Sequence, residues 1–312
     1  MKRTAVIKNR MKKITAGWAV LLLMVFLTSP AWAAAVIDEI GRTVEVPDQP
    51  RRIIALTPSL TEIVFALGLG DKVVGATIWS DYPPPARRLP KVGAYIAPNL
   101  EQIAALAPDL VLANREGNPP WVVEKLAQAG IPVFVHWPDD PQRLPESFIR
   151  LGQVCGAPQA GAALAADLKR QYELISRKLA EAVPVPTLLV IGNQPLISVG
   201  RESFHGRLLD MVKAENIAAR APGPWPRLSL EYVVESQPQV IIVSTMERGQ
   251  NLEKELTYWR GLPGFSNRIG FRVESISSDL IDRPGPRLGQ GLKELARLVH
   301  PDFFGPEKEQ RP

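Results

Sequence analysis

An internal repeat constrains this chain more than any other feature of its sequence. Asn99-Leu100-Glu101-Gln102-Ile103 leads through Pro108 into Asp109-Leu110-Val111-Leu112-Ala113. Ser229-Leu230-Glu231-Tyr232-Val233 leads through Pro238 into Gln239-Val240-Ile241-Ile242-Val243. Cap, leucine, glutamate, branched apolar residue, proline and apolar run coincide at a constant offset of 130 residues. Each copy reads as a capped helix start followed by a short buried strand. A chain with two such units is expected to fold as two similar halves.

The surrounding residues extend the pattern. Apolar runs at 53–56, 72–78, 109–113 and 131–135 predict strands. Helices are expected over 59–68, 99–106, 119–129 and 141–154, with a short one in the Pro-rich stretch 81–89. Ser59-Leu60-Thr61-Glu62 has the form of a capping box that opens the first. Residues 34–50 are a polar lead-in of hairpin length. The second half repeats the alternation, with strands at 187–191, 240–244 and 272–276 and helices at 204–213, 230–235 and 288–299. Alternating strand and helix predicts an α/β fold with mostly parallel sheets, which bind ligands beyond the carboxyl ends of their strands.

Between the halves lies one long helical stretch, from Pro158 to about residue 181. Leu164, Leu168, Tyr172, Ile175 and Leu179 form a single apolar stripe, and Asp167, Lys169, Arg170, Glu173, Arg177 and Lys178 cover the remaining surface. At about 1.5 Å per residue it would run roughly 36 Å, enough to bridge two lobes. The expected organisation is an export signal over 1–33, the lead-in over 34–50 and an N-terminal lobe over 51–156. A bridging helix over 157–183, a C-terminal lobe over 184–304 and a disordered tail over 305–312 complete it.

The export signal rests on Lys2, Arg3, Lys8, Arg10, Lys12 and Lys13, followed by an apolar run from Ala16 to Leu27 and a small-x-small site at Ala31-Trp32-Ala33. Cleavage is expected after Ala33. The formal charge of the whole chain is +5, but removing six basic residues leaves 31 basic against 32 acidic ones. The mature chain thus lacks the basic excess that nucleic-acid binding demands. Cys155 is the only cysteine, so no intrachain disulfide forms and no thiol stands at the cleavage site for lipid attachment. Its apolar neighbours mark it as a small buried hydrophobe. The location expected is the periplasm.

Enzyme motifs are missing. There is no Gly-x-Ser-x-Gly and no phosphate-binding Walker loop. Gly68-x-Gly70 stands at a helix end rather than a helix start. His136, His205 and His300 lie far apart, without metal-ligand spacing. His136 follows a strand and either faces a cleft or packs inside. Trp79, Tyr95, Trp225, Asp279 and Arg283 all fall on strand-to-helix connections, where a cleft is lined. Flat aromatic faces with a few polar groups suit a large, partly apolar ligand. The competing reading makes each aromatic a core residue or a loop cover.

Glu101 and Glu231 occupy the first turns of the repeated helices. A carboxylate there complements the helix dipole, worth ~0.3–1 kcal/mol. Their duplication suggests a second use, as paired docking points for a symmetric membrane partner. Exposed ion pairs add only ~0–1 kcal/mol each, so they would set orientation and on-rate rather than tight affinity.

Over about residues 50–300 the chain resembles periplasmic binding proteins of the helical-backbone type, which serve importers of cobalamin, haem and ferric siderophores. The matching stretches are Trp79-Ser80-Asp81-Tyr82-Pro83-Pro84, Asn99-Leu100-Glu101, Ala107-Pro108-Asp109-Leu110-Val111, Pro224-Trp225-Pro226 with Ser229-Leu230-Glu231, and Ser278-Asp279 with Arg283 and Pro286-Arg287. The second and third mark the whole family, whereas the Trp79 and Trp225 stretches are more specific to its cobalamin branch. The resemblance implies a monomer with no catalysis and no cofactor, whose ligand is cobalamin or another corrinoid. Its partners would be an ABC permease and ATPase in the inner membrane. It implies that Trp79, Tyr95, Trp225, Asp279 and Arg283 contact the ligand, with Ser59 beside them at a helix start, and that Glu101 and Glu231 dock on permease arginines. Asn114-Arg115 departs from the family, which has an aromatic near Asn114, so this part of the wall is polar here. Haem or a ferric siderophore remains the alternative ligand, and an enzyme on the same fold a third reading.

Overall fold

The computed structural model describes residues 33–245, 252–265 and 270–305. The expected signal up to Trp32 and the last seven residues lie outside the described residues. Two α/β lobes stand on either side of one long helix, as the alternation predicts.

The lead-in is an antiparallel hairpin, β1 (Ala33–Ile37) with β2 (Thr43–Pro47). The N-terminal lobe then carries β3 (Ile53–Ala55), α1 (Pro58–Ala66), β4 (Val73–Ala76), a small β5–β6 pair (Gly93–Ala94, Ala97–Pro98), α2 (Leu100–Ala105), β7 (Leu110–Asn114), α3 (Pro120–Gln128), β8 (Val133–His136) and α4 (Leu144–Val154). Its main sheet is wholly parallel, in the order β4-β3-β7-β8. The long helix, α5, is Pro158–Lys178, with 21 residues and a length of about 31 Å. It stops short of residue 181 because the chain turns at Leu179, where the Ala182 N–H returns to the Leu179 carbonyl.

The C-terminal lobe comprises β9 (Val185–Asn193), β10 (Leu196–Ser198), α6 (Phe204–Met211), β11 (Ala214–Asn216), α7 (Leu230–Ser236), β12 (Val240–Thr245), α8 (Leu252–Arg260), β13 (Arg272–Ser277), α9 (Ser278–Ile281) and α10 (Leu288–Val299). Its sheet order is β10-β9-β12-β13, with β11 pairing the start of β9 in parallel and β10 pairing its end antiparallel. Beside β9 two short strands therefore take the place that β4 holds beside β3 in the first lobe. Neither β10 nor β11 is visible as a run of apolar residues.

The repeat is preserved in backbone detail. Asn99 and Ser229 both cap their helices, each side-chain oxygen accepting the N–H three residues on, from Gln102 at 3.0 Å and Tyr232 at 3.2 Å. Ala107 and Gln237, again 130 apart, both adopt positive φ, at 43° and 48°. Left-handed conformations are uncommon for residues with a Cβ. Each sits just before the proline that leads into the strand.

One sequence expectation moves. The N-cap of α1 is Thr57, not Ser59; its Oγ1 accepts from Leu60 N at 3.4 Å. Pro58, with φ already set for a helix, takes the first helical position. Glu62 is thereby displaced from the capping-box position and turns inward.

Strand residues alternate between two environments. Ile53, Leu110 and Phe134 of the first sheet join Leu60, Phe148, Leu168, Ile175, Leu189, Leu208, Ile242 and Leu295 in one apolar cluster that runs through both lobes and α5. Their neighbours Ile54 and Val111 belong to a second cluster confined to the first lobe, and Leu188 and Ile241 to a third confined to the second. This is the period of two that a sheet covered on both faces requires. Cys155 is fully buried in the shared cluster, and desolvation pushes its thiol up to about 12. Helices α4 and α5 cross where Gly152 meets Gly161: a Cβ on Gly152 would stand 2.8 Å from the Gly161 Cα.

Candidate ligand-binding cleft

The connections leaving the carboxyl ends of the strands meet along the boundary between the lobes. On the N-terminal side, Thr57 and Ser59 follow β3, and their hydroxyls lie 3.2 Å apart. Trp79 follows β4, Asn114 ends β7, and His136 ends β8. Asn114 Oδ1 accepts from the N–H groups of Glu116 and Gly117, at 2.9 and 3.1 Å, folding the chain after β7 into a tight turn. Gly117 packs close to Thr57, Tyr95 and Asn114. Asn118 ties this group down, its Nδ2 donating to the carbonyls of Leu56 and Tyr95 at 3.1 and 2.7 Å.

On the C-terminal side, Trp225 is set by backbone pairing on both flanks. Gly200 N donates to Pro224 O at 2.9 Å and Ser198 N to Pro226 O at 3.0 Å. Position 200 tolerates no side chain, since a Cβ there would overlap the Gly223 carbonyl. The Trp225 ring meets His205 edge-on at 5.4 Å between centroids, and His205 Nε2 lies 2.8 Å from Asp282 Oδ1. Asp279, on the first turn of α9, holds Arg283 Nη2 at 2.6 Å.

Arg283 then crosses the boundary. Its Nη1 reaches Glu62 Oε1 at 3.1 Å and Asp81 Oδ1 at 3.0 Å. Arg287 joins it, with Nε and Nη2 on the two Glu62 oxygens at 2.8 and 2.7 Å and its guanidinium 4.1 Å from the Tyr82 ring centroid. Glu62 is 2 % exposed, so these pairs work in a poorly solvated setting. Gly285 passes close to the Ser59 backbone at the same seam. A second cross-lobe pair joins Arg207 of α6 to Asp140, at 2.8 Å.

Two sets of contacts thus stand at the boundary, Asp81 with Arg283 and Asp279, and Asp282 with His205 and Trp225. Trp79, Tyr95 and Trp225 expose 40 %, 37 % and 44 % of their surface, so none of the three is a core residue. Ser59 and Asn114 are buried. His136 packs inside: its Nδ1 lies 2.9 Å from Glu39 Oε2, and the ring is fully buried. Sequence reasoning missed Glu62, assigned to a cap, and did not give Tyr82, Arg287, His205 or Asp282 a role. Only Tyr82 and Arg287 left a signal, since both stand inside stretches that carry the resemblance. A cavity of about 600 Å³ lies elsewhere, along α5 and α6 between Tyr172, Glu173, Arg177, Asp210 and Lys213, and touches none of the cleft residues.

Glu101 and Glu231 lie apart from the cleft, exposed at the starts of α2 and α7. Hydrogen bonds from its own backbone N–H and from the Ser229 hydroxyl hold the Glu231 carboxyl below its ordinary range. It is therefore a permanent anion at neutral pH.

Two lobes with mostly parallel sheets, one long helix joining them and half-exposed aromatics on the connections define a substrate-binding protein of the helical-backbone class. The chain belongs to the periplasmic binding protein family, which matches residues 53–258. It is 32 % identical over 252 residues to the vitamin B12-binding protein of Photorhabdus laumondii, covering 80 % of this chain and 88 % of that one. Its fold is similar to the periplasmic vitamin B12-binding protein BtuF of Vibrio cholerae, with a TM-score of 0.71 at 28 % identity, covering 81 % of this chain and 98 % of that one. It is equally similar to the periplasmic haem-binding protein RhuT of Roseiflexus, with a TM-score of 0.71 at 26 % identity and coverage of 81 % and 99 %.

Proposed function

We propose that this protein captures a corrinoid, cobalamin or a close variant, between its lobes and delivers it to an ABC permease and ATPase in the inner membrane. The observation that carries this reading is the pair of half-exposed tryptophans, Trp79 and Trp225, one on each lobe, each on a connection near the residues that pair across the boundary. A flat macrocycle offers each of them a face to cover, and burying aromatic area supplies the affinity. Tyr95 adds a third ring, Ser59 and Asn114 support the floor, and Asp279 with Arg283 supplies hydrogen-bonding groups at the seam. The relatives named for vitamin B12 support corrinoid as the ligand. The protein acts by binding and release, without turnover. It works as a monomer in the periplasm after loss of residues 1–33.

Docking on the permease falls to Glu101 and Glu231. Their equivalent places in the repeat offer two like charges to a two-fold symmetric partner carrying arginines.

Haem is the second reading, favoured by the similarity to the Roseiflexus protein. Haem iron needs an axial ligand. His136 is held by Glu39, His205 by Asp282 and His300 by the Val212 carbonyl, which leaves Tyr95 to serve. Equilibrating the purified mature protein with cyanocobalamin, haem and a ferric siderophore together, followed by gel filtration, separates the readings. A corrinoid spectrum eluting with the protein is expected; a haem spectrum alone would replace the first reading with the second.

A further inference from the structure

Beside the cleft stands an exposed cation, Arg115, whose charge the fold leaves unspent. Arg283 and Arg287 face Glu62, Asp81 and Asp279. Arg207 faces Asp140, and Lys91 donates to the carbonyls of Ser80 and Ala86. Arg115, by contrast, forms no ion pair with any acid among the described residues. Its backbone N–H donates to the His136 carbonyl at 3.0 Å, and its guanidinium lies 3.7 Å from the centre of the Trp137 ring.

The surroundings place this stack at the seam. Arg115 directly follows the last residue of β7, and Trp137 directly follows the last residue of β8, so both leave the carboxyl ends of adjacent parallel strands. The turn made by Asn114 Oδ1 brings Gly117 close to Tyr95, while the Arg115 side chain lies on Trp137. Trp137 is itself fixed, its N–H donating to Glu39 Oε2 at 2.7 Å. Asp140, three residues on, makes the cross-lobe pair with Arg207 of α6, the helix that also carries His205 and its contact with Trp225.

A guanidinium lying flat on an indole keeps its planar fork of N–H donors at the edge, where a phosphate or carboxylate can take two of them at once. The ring beneath it limits the side-chain freedom that binding would otherwise remove. We infer that Arg115, positioned by Trp137, reads a phosphodiester on the ligand and makes the cleft selective for corrinoids that carry the nucleotide loop over those that lack it. This inference rests on the corrinoid reading and adds to it a specificity residue.

The test is a cycle of two proteins and two ligands. Cyanocobalamin carries the phosphodiester, and dicyanocobinamide lacks it. Calorimetry on the wild-type protein and Arg115→Gln gives four dissociation constants. One charge-assisted, bidentate contact is worth about tenfold or more in affinity. The variant is expected to lose about that factor for cyanocobalamin and to keep its cobinamide affinity within about twofold. Arg115→Lys, which keeps the charge but not the planar fork, is expected to recover only part of the loss. Equal weakening toward both ligands would overturn the proposal and make the Arg115–Trp137 stack structural. No change toward either would overturn it as well. If the wild-type protein retained neither corrinoid, the proposal would fall together with the reading beneath it, an outcome distinct from an unchanged ratio.

Discussion

Arg283 and Glu62 are 221 residues apart in the chain, yet their side chains meet at 3.1 Å across the lobe boundary. With Arg287, Asp81 and Asp279 they form a charge network that clamps α1 to the segment between α9 and α10. A hydrogen-bonded network of this kind fixes geometry more than it adds stability, but removing one member leaves the others charged and poorly solvated. Glu62→Ala takes both contacts from Arg287 and one from Arg283. Chemical denaturation is expected to show a loss of about 3 kcal/mol. A loss below about 0.5 kcal/mol would mean that water replaces the carboxylate and that the clamp is loose.

Trp225 stands on a rigid strip of backbone and covers His205. Trp225→Ala is expected to weaken cobalamin binding by about 1–3 kcal/mol through lost aromatic burial. Because the ring is 44 % exposed, its removal leaves the fold nearly as stable as before. Calorimetry and a thermal scan on the same sample separate the two effects. Unchanged affinity would take Trp225 out of the site.

Charge reversal at both Glu101 and Glu231 addresses docking. Glu101→Lys with Glu231→Lys is expected to stop uptake in cells while leaving ligand affinity within about twofold, since neither residue belongs to the cleft. Reversal of either alone is expected to reduce uptake only in part. Normal transport by the double variant would rule out the docking role.

Acid should release the N-terminal hairpin. Burial alone would raise the Glu39 carboxyl, but its hydrogen bond and charge interaction with His136, the Trp137 N–H and the Ser147 hydroxyl outweigh it, and the group lies below its ordinary 4.5. A lowered carboxyl contributes stability that is complete above the unfolded value and is lost as pH falls through the folded one. Stability attributable to Glu39 is therefore in place above about pH 4.5 and declines below it. Hydrogen exchange at the β1–β2 pairs, compared at pH 6 and pH 3.5, should report faster opening at the lower pH after correction for intrinsic rates. In Glu39→Gln that difference should shrink.

The parts of this fold legible in the sequence are those governed by local pattern. The 130-residue repeat located α2, β7, α7 and β12, and the apolar period located α10 at 288–299. The edge of the second sheet escaped because β10 and β11 have three residues each, too few to show a period. That Trp79, Tyr95 and Trp225 lie on connections rather than in the core was readable from the element pattern. The charge network was not. Glu62 fits a capping box by spacing, and only Pro58 at the first helical position shows that the helix begins two residues too early for that role. Its true partners lie in the other lobe, at positions that no local rule links to residue 62. The Glu39–His136 pair was hidden for the same reason, since it joins the lead-in to a strand end 97 residues away.

The apolar cluster that threads both lobes and α5 bears on how such a chain evolves. The two halves repeat one pattern, but neither owns the whole of its interior. Ile53 and Leu110 on one side, and Leu189 and Ile242 on the other, share the same strut as their roof. A gene fusion that exchanged one half for a relative's would graft a sheet onto a helix face shaped for a different neighbour. What the repeat makes look modular, the shared packing welds, and changes of ligand preference fall to the loops.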